Sequence, residues 1–349
     1  MQGPGPDAVM QTASVRPPPC PLPDNTAMKI FDARLTRELL PWPELIDALR
    51  RMFRSGCEMP LRHHHRVDVP GEPAATLLLM PAWVRGEHLG VKVVNVMPGN
   101  SERGLPTVVS NYLLSDARNG QMLALIDGGE LTSRRTAAAS ALAASYLARP
   151  EADHLLIVGT GQLALNMAAA HATVRALRRV SVWGRHGERA QALAGRVKTL
   201  CGVEAEAVGD LEAAARQAQI VSTVTLATEP LVRGAWLQPG THLDLVGAFR
   251  PDMRESDDDA VRCASVFVDT RDGACAEGGD IVQALASGAL TRERICADLY
   301  ELARGVHPGR RDAAEITLFK SVGAALEDLA AARLLWQRAV AAEQAGRGA

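Results

Sequence analysis

The chain has 349 residues, and its 38 Lys and Arg nearly balance 40 Asp and Glu, which gives a formal net charge of −2 at pH 7. Hydrophobic residues make up 47% and charged residues 22%, which excludes a largely disordered chain. The lack of a basic excess argues against nucleic acid as a partner, and at roughly 150 residues per domain the length predicts about two domains.

Several features bear on where the protein resides. Residues 1–27 contain seven prolines and few large apolar side chains, so we expect a disordered tail there. The six cysteines are scattered without a Cys-x-x-Cys pair, which favours reduced thiols in the cytoplasm. The run from His154 to Val174 lacks charged residues, but its glycines and Asn166 argue against a membrane helix. The sequence therefore predicts a cytoplasmic protein without a membrane segment.

The first half of the chain combines helices with β-prone segments. Apolar residues recur at helical spacing from Leu35 to Met52 and predict one amphipathic helix. Short segments separated by Gly, Asn or Pro then predict an antiparallel sheet, at residues 75–80, 89–96, 108–114 and 121–126. An Ala-rich helix is predicted to follow, from Thr132 as its N-cap to Leu147.

The second half alternates short apolar strands with helices, which is typical of a doubly wound parallel sheet of the Rossmann type. The predicted strands are residues 154–159, 179–183, 204–208, 220–225, 242–246 and 266–269. Residues 316–340 return to helical spacing, and we expect this helix to pack back on the first half. The predicted fold class is therefore α/β.

A Gly-rich turn opens the second half. The peptide after the first of these strands reads Gly159-x-Gly161-x-x-Ala164 and leads into a helix. In such a turn the first glycine permits a tight bend, the second lets backbone N–H groups approach a pyrophosphate, and the small third residue lets helix and strand pack closely. The context predicts a dinucleotide site, and a glycine-lined turn without a ligand is the alternative.

The end of the next strand distinguishes between two cofactors. A carboxylate there binds the ribose 2′-OH of NAD, whereas an arginine accommodates the 2′-phosphate of NADP. Here the strand ends in Gly184-Arg185-His186, and Arg189 follows one turn later. Since no acid stands at the tip, the sequence predicts NADP in preference to NAD.

Basic residues of the first half are candidates for a substrate site. Three consecutive histidines follow Arg62, but neighbouring side chains of a strand point to opposite faces, so no metal centre is predicted. Arg62 itself could bind a carboxylate in bidentate fashion. Lys92, within an apolar strand, is either solvated on an edge strand or part of a site. Arg135, expected in the first turn of its helix, opposes the helix dipole and is either solvated or held by an anion such as phosphate.

Six motifs in this order resemble the ornithine cyclodeaminase/μ-crystallin family. They are Lys92, Arg134-Arg135-Thr136-Ala137-Ala138, Gly159-x-Gly161, and residues 225–230 (TLATEP), 246–255 (VGAFRPDMRE) and 319–323 (FKSVG). The resemblance covers the chain after Met28 and implies a homodimer. It also implies that a Rossmann dinucleotide-binding domain, residues 151–315, is inserted into a discontinuous α+β substrate and dimerisation domain, residues 28–150 plus 316–349.

The resemblance further implies roles for individual residues. Arg62 and Lys92 would hold the substrate carboxylate, with Lys92 able to act on the reacting nitrogen or oxygen, so both are the predicted catalytic residues. Phe249 and Val322 complete the predicted substrate site. The predicted cofactor-binding residues are Thr107, Arg135, Gly159, Gly161, Gln162, Leu163, Gly184, Arg185, His186, Arg189, Thr225, Val246 and Ser321. Gly184 stands where members that use NAD carry their ribose-binding Asp, in agreement with NADP.

One position separates two reactions of the family. Ornithine cyclodeaminases carry a catalytic Asp where this chain has Phe249, and a phenyl ring can neither accept a proton nor pair with an ornithine ammonium. The residues around it are more similar to those of ketimine reductases. The resemblance therefore implies NAD(P)H-dependent reduction of a cyclic imino acid, Δ1-pyrroline-2-carboxylate or Δ1-piperideine-2-carboxylate, to L-proline or L-pipecolate.

Two other functions stay open at this point. One is an ornithine cyclodeaminase that uses a different base, and the other is a crystallin-like protein that binds NADPH and a small ligand without turnover. Glu277 and Asp280 are weaker candidates for a proton relay, and as exposed loop acids they would need no functional explanation.

Overall fold

Two sheets organise the chain. The structure is a computed structural model that describes residues 28–347, so the tail expected at residues 1–27 lies outside the described residues. One sheet has six strands and is largely antiparallel, and the other has eight parallel strands. The α/β class with a parallel sheet in the second half is confirmed.

The first sheet has the strand order β1-β6-β5-β4-β3-β2, antiparallel except where β1 pairs with β6. Its strands are β1 (Lys29–Phe31), β2 (His63–Val67), β3 (Ala75–Val84), β4 (His88–Val96), β5 (Val108–Asp116) and β6 (Met122–Asp127). The segment predicted as one amphipathic helix forms two, α1 (Ala33–Leu39) and α2 (Trp42–Ser55). The break falls at Pro41, which lacks an N–H donor and forces Leu40 out of the helical conformation.

Helix α3 (Gly128–Leu147) begins four residues before the predicted start. Its N-cap is Asp127, whose Oδ1 accepts a hydrogen bond of 2.7 Å from the Glu130 N–H, so the prediction of Thr132 as N-cap is wrong. Gly128 allows this early start, because a Cβ there would lie 2.5 Å from the Ser110 side chain of β5. Arg135 consequently lies in the body of the helix, beyond its first turn.

The parallel sheet has the order β13-β12-β14-β11-β10-β7-β8-β9. Its strands are β7 (His154–Val158), β8 (Arg179–Trp183), β9 (Glu204–Ala207), β10 (Ile220–Thr223), β11 (His242–Leu245), β12 (Ser265–Val268), β13 (Ile295–Asp298) and β14 (Thr317–Lys320). The helices between them are α4 (Gln162–Val174), α5 (Gly187–Cys201), α6 (Leu211–Gln217), α7 (Asp258–Cys263), α8 (Arg271–Glu277), α9 (Gly279–Ala286) and α10 (Leu299–Arg304). The chain runs outward from β7 to β9 and then returns to β10 on the other side of β7, so the switch point lies between β7 and β10.

The segment predicted as helix from residue 316 begins with a strand. Residues 317–320 form β14 in the centre of the parallel sheet, paired with β11 and β12, because Leu318 and Phe319 are buried on its two faces. They therefore belong to the parallel sheet, although the predicted domain boundary grouped them with the first half. Helix α11 (Ala325–Arg347) follows and packs on α2 and on β3, β4 and β5, as expected.

The apolar run from His154 to Val174 folds as β7, the Gly-rich turn and α4. Within residues 28–347, no helix has the length and apolar composition needed to cross a membrane.

Candidate active site

The Gly-rich turn joins β7 to α4 at the switch point. Gly159 has a φ of 125°, and a Cβ there would stand 2.8 Å from the Val224 carbonyl oxygen, so only glycine fits. Gly161 is the N-cap of α4, and no side chain caps the first turn of that helix. Nothing lies within 4 Å of where a Gly161 Cβ would stand. The free N–H groups at the start of α4, around Gln162 and Leu163, therefore fit the pyrophosphate of a dinucleotide.

Three other predicted cofactor residues lie beside this turn. Thr225, Val246 and Ser321 follow β10, β11 and β14, whose carboxyl ends meet at the same edge of the sheet. The Val246 N–H donates to the Thr223 carbonyl at 3.0 Å and the Ser321 N–H to the Leu245 carbonyl at 3.1 Å, which continues the strand pairing up to these residues. The parallel sheet thus places these three residues at one edge, and their contact with a dinucleotide stays a prediction.

A buried carboxylate holds two of these segments in place. Glu255 accepts hydrogen bonds from the N–H groups of Thr225 and Gly247, both at 2.7 Å, and from the hydroxyls of Thr223 and Thr225 at 2.7 and 2.8 Å. Burial raises the pKa of Glu255, although these donors and nearby Lys320 oppose the shift. Glu255 is part of the motif at residues 246–255, but nothing in the sequence predicts that it braces the loops.

Asp280 is not the exposed loop acid that the sequence suggested. It lies in the first turn of α9, is fully buried, and its Oδ1 accepts from the N–H groups of Glu255 and Ser256, both at 2.9 Å. Its second oxygen lies 3.5 Å from the Lys320 Nζ. These contacts brace the Glu255 segment and give Asp280 no exposed face for a proton relay.

Lys92 lies on β4, between β3 and β5, and is only 3% exposed. The interpretation as a solvated residue of an edge strand is therefore wrong. Its Nζ lies 2.7 Å from Oδ2 of Asp328 on α11 and 3.5 Å from Oγ1 of Thr132. Burial lowers the pKa of Lys92 to about 8, with Asp328 opposing the shift and Arg135 adding to it. At neutral pH the site thus contains a buried ammonium with few partners.

Arg135 is buried beside Lys92, so it is not solvated, and it is held by two carboxylates. Its Nε donates to Asp328 Oδ1 at 2.9 Å, and its Nη1 donates to Glu327 Oε2 at 2.7 Å. Burial raises the pKa of Glu327 to about 7 despite this arginine. Asp328 faces two cations, Arg135 and Lys92, and its pKa is lowered although burial acts in the opposite direction. A direct contact of Arg135 with the dinucleotide stays a prediction.

Arg62 is the accessible cation of this group. It precedes β2, its side chain is 21% exposed, and its Nε lies 3.2 Å from Oε1 of Glu277 at the end of α8. Its Nη2 donates to the Gly323 carbonyl at 3.0 Å. The loop that carries Val322 and Gly323 is fixed by Asp269, whose Oδ2 accepts from both N–H groups at 2.7 Å. The structure therefore brings Arg62, Lys92 and the loop between β14 and α11 together.

The remaining predicted residues lie in loops and at the start of α5. Phe249 is 45% exposed, and Thr107 is exposed immediately before β5. Gly184 packs against Thr160 of the Gly-rich turn, where a Cβ would approach to 2.5 Å. Three basic residues follow β8, namely Arg185, His186 and Arg189. Their side chains are exposed and have no hydrogen-bond partner among residues 28–347.

The three consecutive histidines lie on β2 and are exposed. In the part of the chain that the structure describes, no three His, Cys, Asp or Glu side chains are placed to hold a metal ion.

Sequence reasoning missed the acids that hold the basic residues. Glu327 and Asp328 stand side by side in the first turn of α11 and are completely buried. Two adjacent acids between apolar segments of a helix could have indicated buried partners of the basic residues. Acids in a first turn also interact favourably with the helix dipole, however, and need no other explanation.

Residues 31–343 match the ornithine cyclodeaminase/μ-crystallin family. Over 293 residues, 83% of this chain and 90% of the relative, the chain is 42% identical to a Δ1-pyrroline-2-carboxylate reductase of Paracoccus denitrificans. With the same coverage it is 37% identical to the ketimine reductase mu-crystallin of Rattus norvegicus. The structure of a Thermococcus litoralis Δ1-pyrroline-2-carboxylate reductase in complex with NADH and L-proline has a TM-score of 0.84 and 33% identity, covering 90% of this chain and 98% of that one. The resemblance inferred from the motifs is confirmed, and the chain belongs to the ornithine cyclodeaminase/μ-crystallin family.

Proposed function

We propose that the protein reduces a cyclic imino acid, Δ1-pyrroline-2-carboxylate or Δ1-piperideine-2-carboxylate, to L-proline or L-pipecolate with a nicotinamide dinucleotide. The broader class, an oxidoreductase that acts on carbon–nitrogen bonds, is confirmed by the reductases among its relatives. One observation carries the finer proposal. Accessible Arg62 and buried Lys92 meet beside the edge of the parallel sheet, and the position of the cyclodeaminase acid holds Phe249.

In this proposal one sheet binds the dinucleotide and the other binds the substrate. The start of α4 and the ends of β7, β10, β11 and β14 hold the dinucleotide, and the antiparallel sheet with α11 supplies the residues for the substrate. When bound, the reduced nicotinamide supplies a hydride, which adds to the carbon of the C=N bond. The nitrogen gains a proton, and the product is the cyclic secondary amine.

Arg62 is proposed to bind the substrate carboxylate. Its guanidinium is planar and suited to a bidentate contact, and its ion pair with Glu277 is 3.2 Å long and partly exposed. An ion pair that is in part open to solvent contributes little to stability. A substrate carboxylate can therefore replace Glu277 at small cost and align the ring for reduction.

Lys92 is proposed to act on the imine nitrogen. Its ammonium carries transferable protons, and a pKa of about 8 is close to the pH at which a general acid works best. Burial excludes water from the Lys92 side chain. Lys92 would donate a proton to the nitrogen, or hydrogen-bond to it, as the hydride arrives at carbon.

Phe249 argues against the cyclodeaminase alternative. Ornithine carries a second ammonium, and leaving it without a partner in the site would cost about 1–3 kcal/mol. A cyclic imino acid has no such group, and a partly exposed phenyl ring offers it an apolar surface.

The test is a direct assay of both reactions. Purified protein with Δ1-pyrroline-2-carboxylate or Δ1-piperideine-2-carboxylate should oxidise NADPH or NADH, followed at 340 nm. Ornithine with NAD should release no ammonia. Ammonia and proline from ornithine would overturn the proposal in favour of a cyclodeaminase, and tight NADPH binding without turnover of any imino acid would favour a crystallin-like binding protein.

NADP is the proposed cofactor in preference to NAD, because exposed Arg185 and Arg189 follow β8 with no acid at its tip. We expect Arg185→Glu to raise KM for NADPH by roughly tenfold or more, since a charge-assisted contact to the 2′-phosphate is replaced by repulsion. KM for NADH should change little. Arg196→Glu, an exposed arginine further along α5, is the matched control. Equal effects on both cofactors, or a clear wild-type preference for NADH, would contradict this assignment.

The proposal includes the homodimer that the family resemblance implies. Exposed apolar side chains of the antiparallel sheet support it: Leu61, before β2, is 83% exposed in the single chain, and Val108 and Val109 on β5 are 53% and 44% exposed. Sedimentation velocity should give a species of twice the chain mass, and a monomer at micromolar concentration would contradict this part of the proposal.

A further inference from the structure

The C-terminal helix places a buried acid against both inner cations of the candidate site. Asp328 is fully buried, its Oδ2 lies 2.7 Å from Lys92 Nζ, and its Oδ1 accepts from Arg135 Nε at 2.9 Å. One carboxylate therefore connects the antiparallel sheet, α3 and α11 at the point where the substrate is expected. The roles proposed for Arg62, Lys92 and Phe249 do not involve the Asp328 carboxylate.

We propose that Asp328 is a positioning residue that aims the Lys92 ammonium at the substrate and keeps it protonated, an inference that rests on the proposed function. An ammonium on a four-carbon stem has many rotamers and needs a fixed partner to hold one of them. Lys92 Nζ also donates to Thr132 Oγ1 at 3.5 Å, a contact too long to fix it.

The charges around Lys92 explain why this acid matters. Asp328 faces it from α11, Arg135 from α3, Arg62 from the segment before β2, and the Tyr112 phenol lies on the paired position of β5. The two arginines repel a lysine ammonium and burial disfavours it, so the carboxylate of Asp328 is the group that favours the charged form. Without it, Lys92 would lose its proton at a lower pH.

Glu327, the residue before Asp328, provides a matched control. Glu327 is equally buried in the same helical turn, but its ion pair is with Arg135 and not with Lys92. A variant at Glu327 therefore disturbs the same helix and the same arginine while leaving the partner of Lys92 in place. Any effect specific to Asp328 must then act through the lysine.

The first experiment compares the pH dependence of kcat/KM, which reports ionisations of the free enzyme and free substrate. For wild type the activity should fall as pH rises through about 8, where Lys92 loses its proton. Asp328→Asn should move this fall to lower pH by about one unit or more and reduce kcat more than it raises KM. Glu327→Gln should leave the midpoint unmoved, and Asp328→Glu, which retains the charge but displaces it, should keep the midpoint while lowering kcat.

A double variant separates positioning from a general structural role. If Asp328 acts through Lys92, adding Asp328→Asn to Lys92→Met should lower kcat no further than Lys92→Met alone. A further loss of tenfold or more in the double variant would overturn the proposal, and so would an unmoved midpoint in Asp328→Asn.

A second readout does not depend on turnover. The sequence has only four lysines, at positions 29, 92, 198 and 320, so protein labelled with ¹³C at lysine Cε gives a small set of NMR signals, and Lys92→Met identifies the one of interest. That signal should titrate at lower pH in Asp328→Asn than in wild type, and an unchanged titration would overturn the inference. If no imino acid is reduced, the proposed function fails, and the NMR titration still decides whether Asp328 keeps Lys92 charged.

Discussion

Replacement of Lys92 by Met should lower kcat/KM for the cyclic imino acid by roughly 10²–10⁴-fold, the usual contribution of a positioned general acid. Met has a similar length and no charge, so it fits the buried site on β4 without leaving an unpaired ammonium. Asp328 keeps Arg135 as its partner in this variant. The loss should therefore come from the missing proton donor and not from unfolding.

Steady-state kinetics on Lys92→Met and a fluorescence titration with NADPH check this expectation. The Kd for NADPH should stay within about threefold of wild type, because the α4 turn does not involve β4. Lys198→Met is the control, since Lys198 is exposed on α5 and pairs with Glu204. Turnover near the wild-type rate in Lys92→Met would remove Lys92 from the catalytic role.

Replacement of Arg62 by Met should act mainly on substrate binding. Loss of a charge-assisted contact to the substrate carboxylate costs about 1.5–3 kcal/mol, which corresponds to a rise in KM of roughly 10- to 100-fold. A smaller fall in kcat should accompany it, because a ring held less firmly is less often aligned for reduction. Arg62→Lys should recover only part of the loss, since an ammonium lacks the planar fork.

The control for Arg62 lies four residues further on. Arg66 is exposed on β2 and pairs with Asp68, so Arg66→Met removes an arginine from the same strand region without touching the site. Its kinetic constants should match those of wild type. An unchanged KM in Arg62→Met would show that the carboxylate is bound elsewhere, and Arg135 would then be the next candidate to test.

The parallel sheet could be predicted because its signals are local. Apolar strands, the Gly-rich turn and the intervening helices each follow from residues that are neighbours in sequence, and β7 to β12 appear close to their expected positions. Strand β14 was missed because a strand of four residues before a long helix is too short to show a periodicity of its own. Their pairing with β11 and β12 is decided by tertiary structure.

The candidate site could be predicted only in part for the same reason. Lys92 stood out, but whether it lies on an edge or a central strand depends on strand order, which its own neighbours do not encode. The partner of Arg135, Asp328, is 193 residues away in sequence, and pairings at that distance leave no local pattern. The basic residues of the candidate site followed from the family resemblance, whereas the acids that pair with them became visible only in the structure.

The most direct test of the proposed reaction follows a single isotope. NADPH carrying deuterium at the transferred C4 position should be incubated with the protein and Δ1-pyrroline-2-carboxylate or Δ1-piperideine-2-carboxylate, and the product analysed by mass spectrometry and NMR. Proline or pipecolate with one deuterium at C2 is the predicted result, because the hydride adds to the imine carbon. Absence of labelled product from either ring, with ammonia and proline formed from ornithine and NAD, would contradict the proposed function.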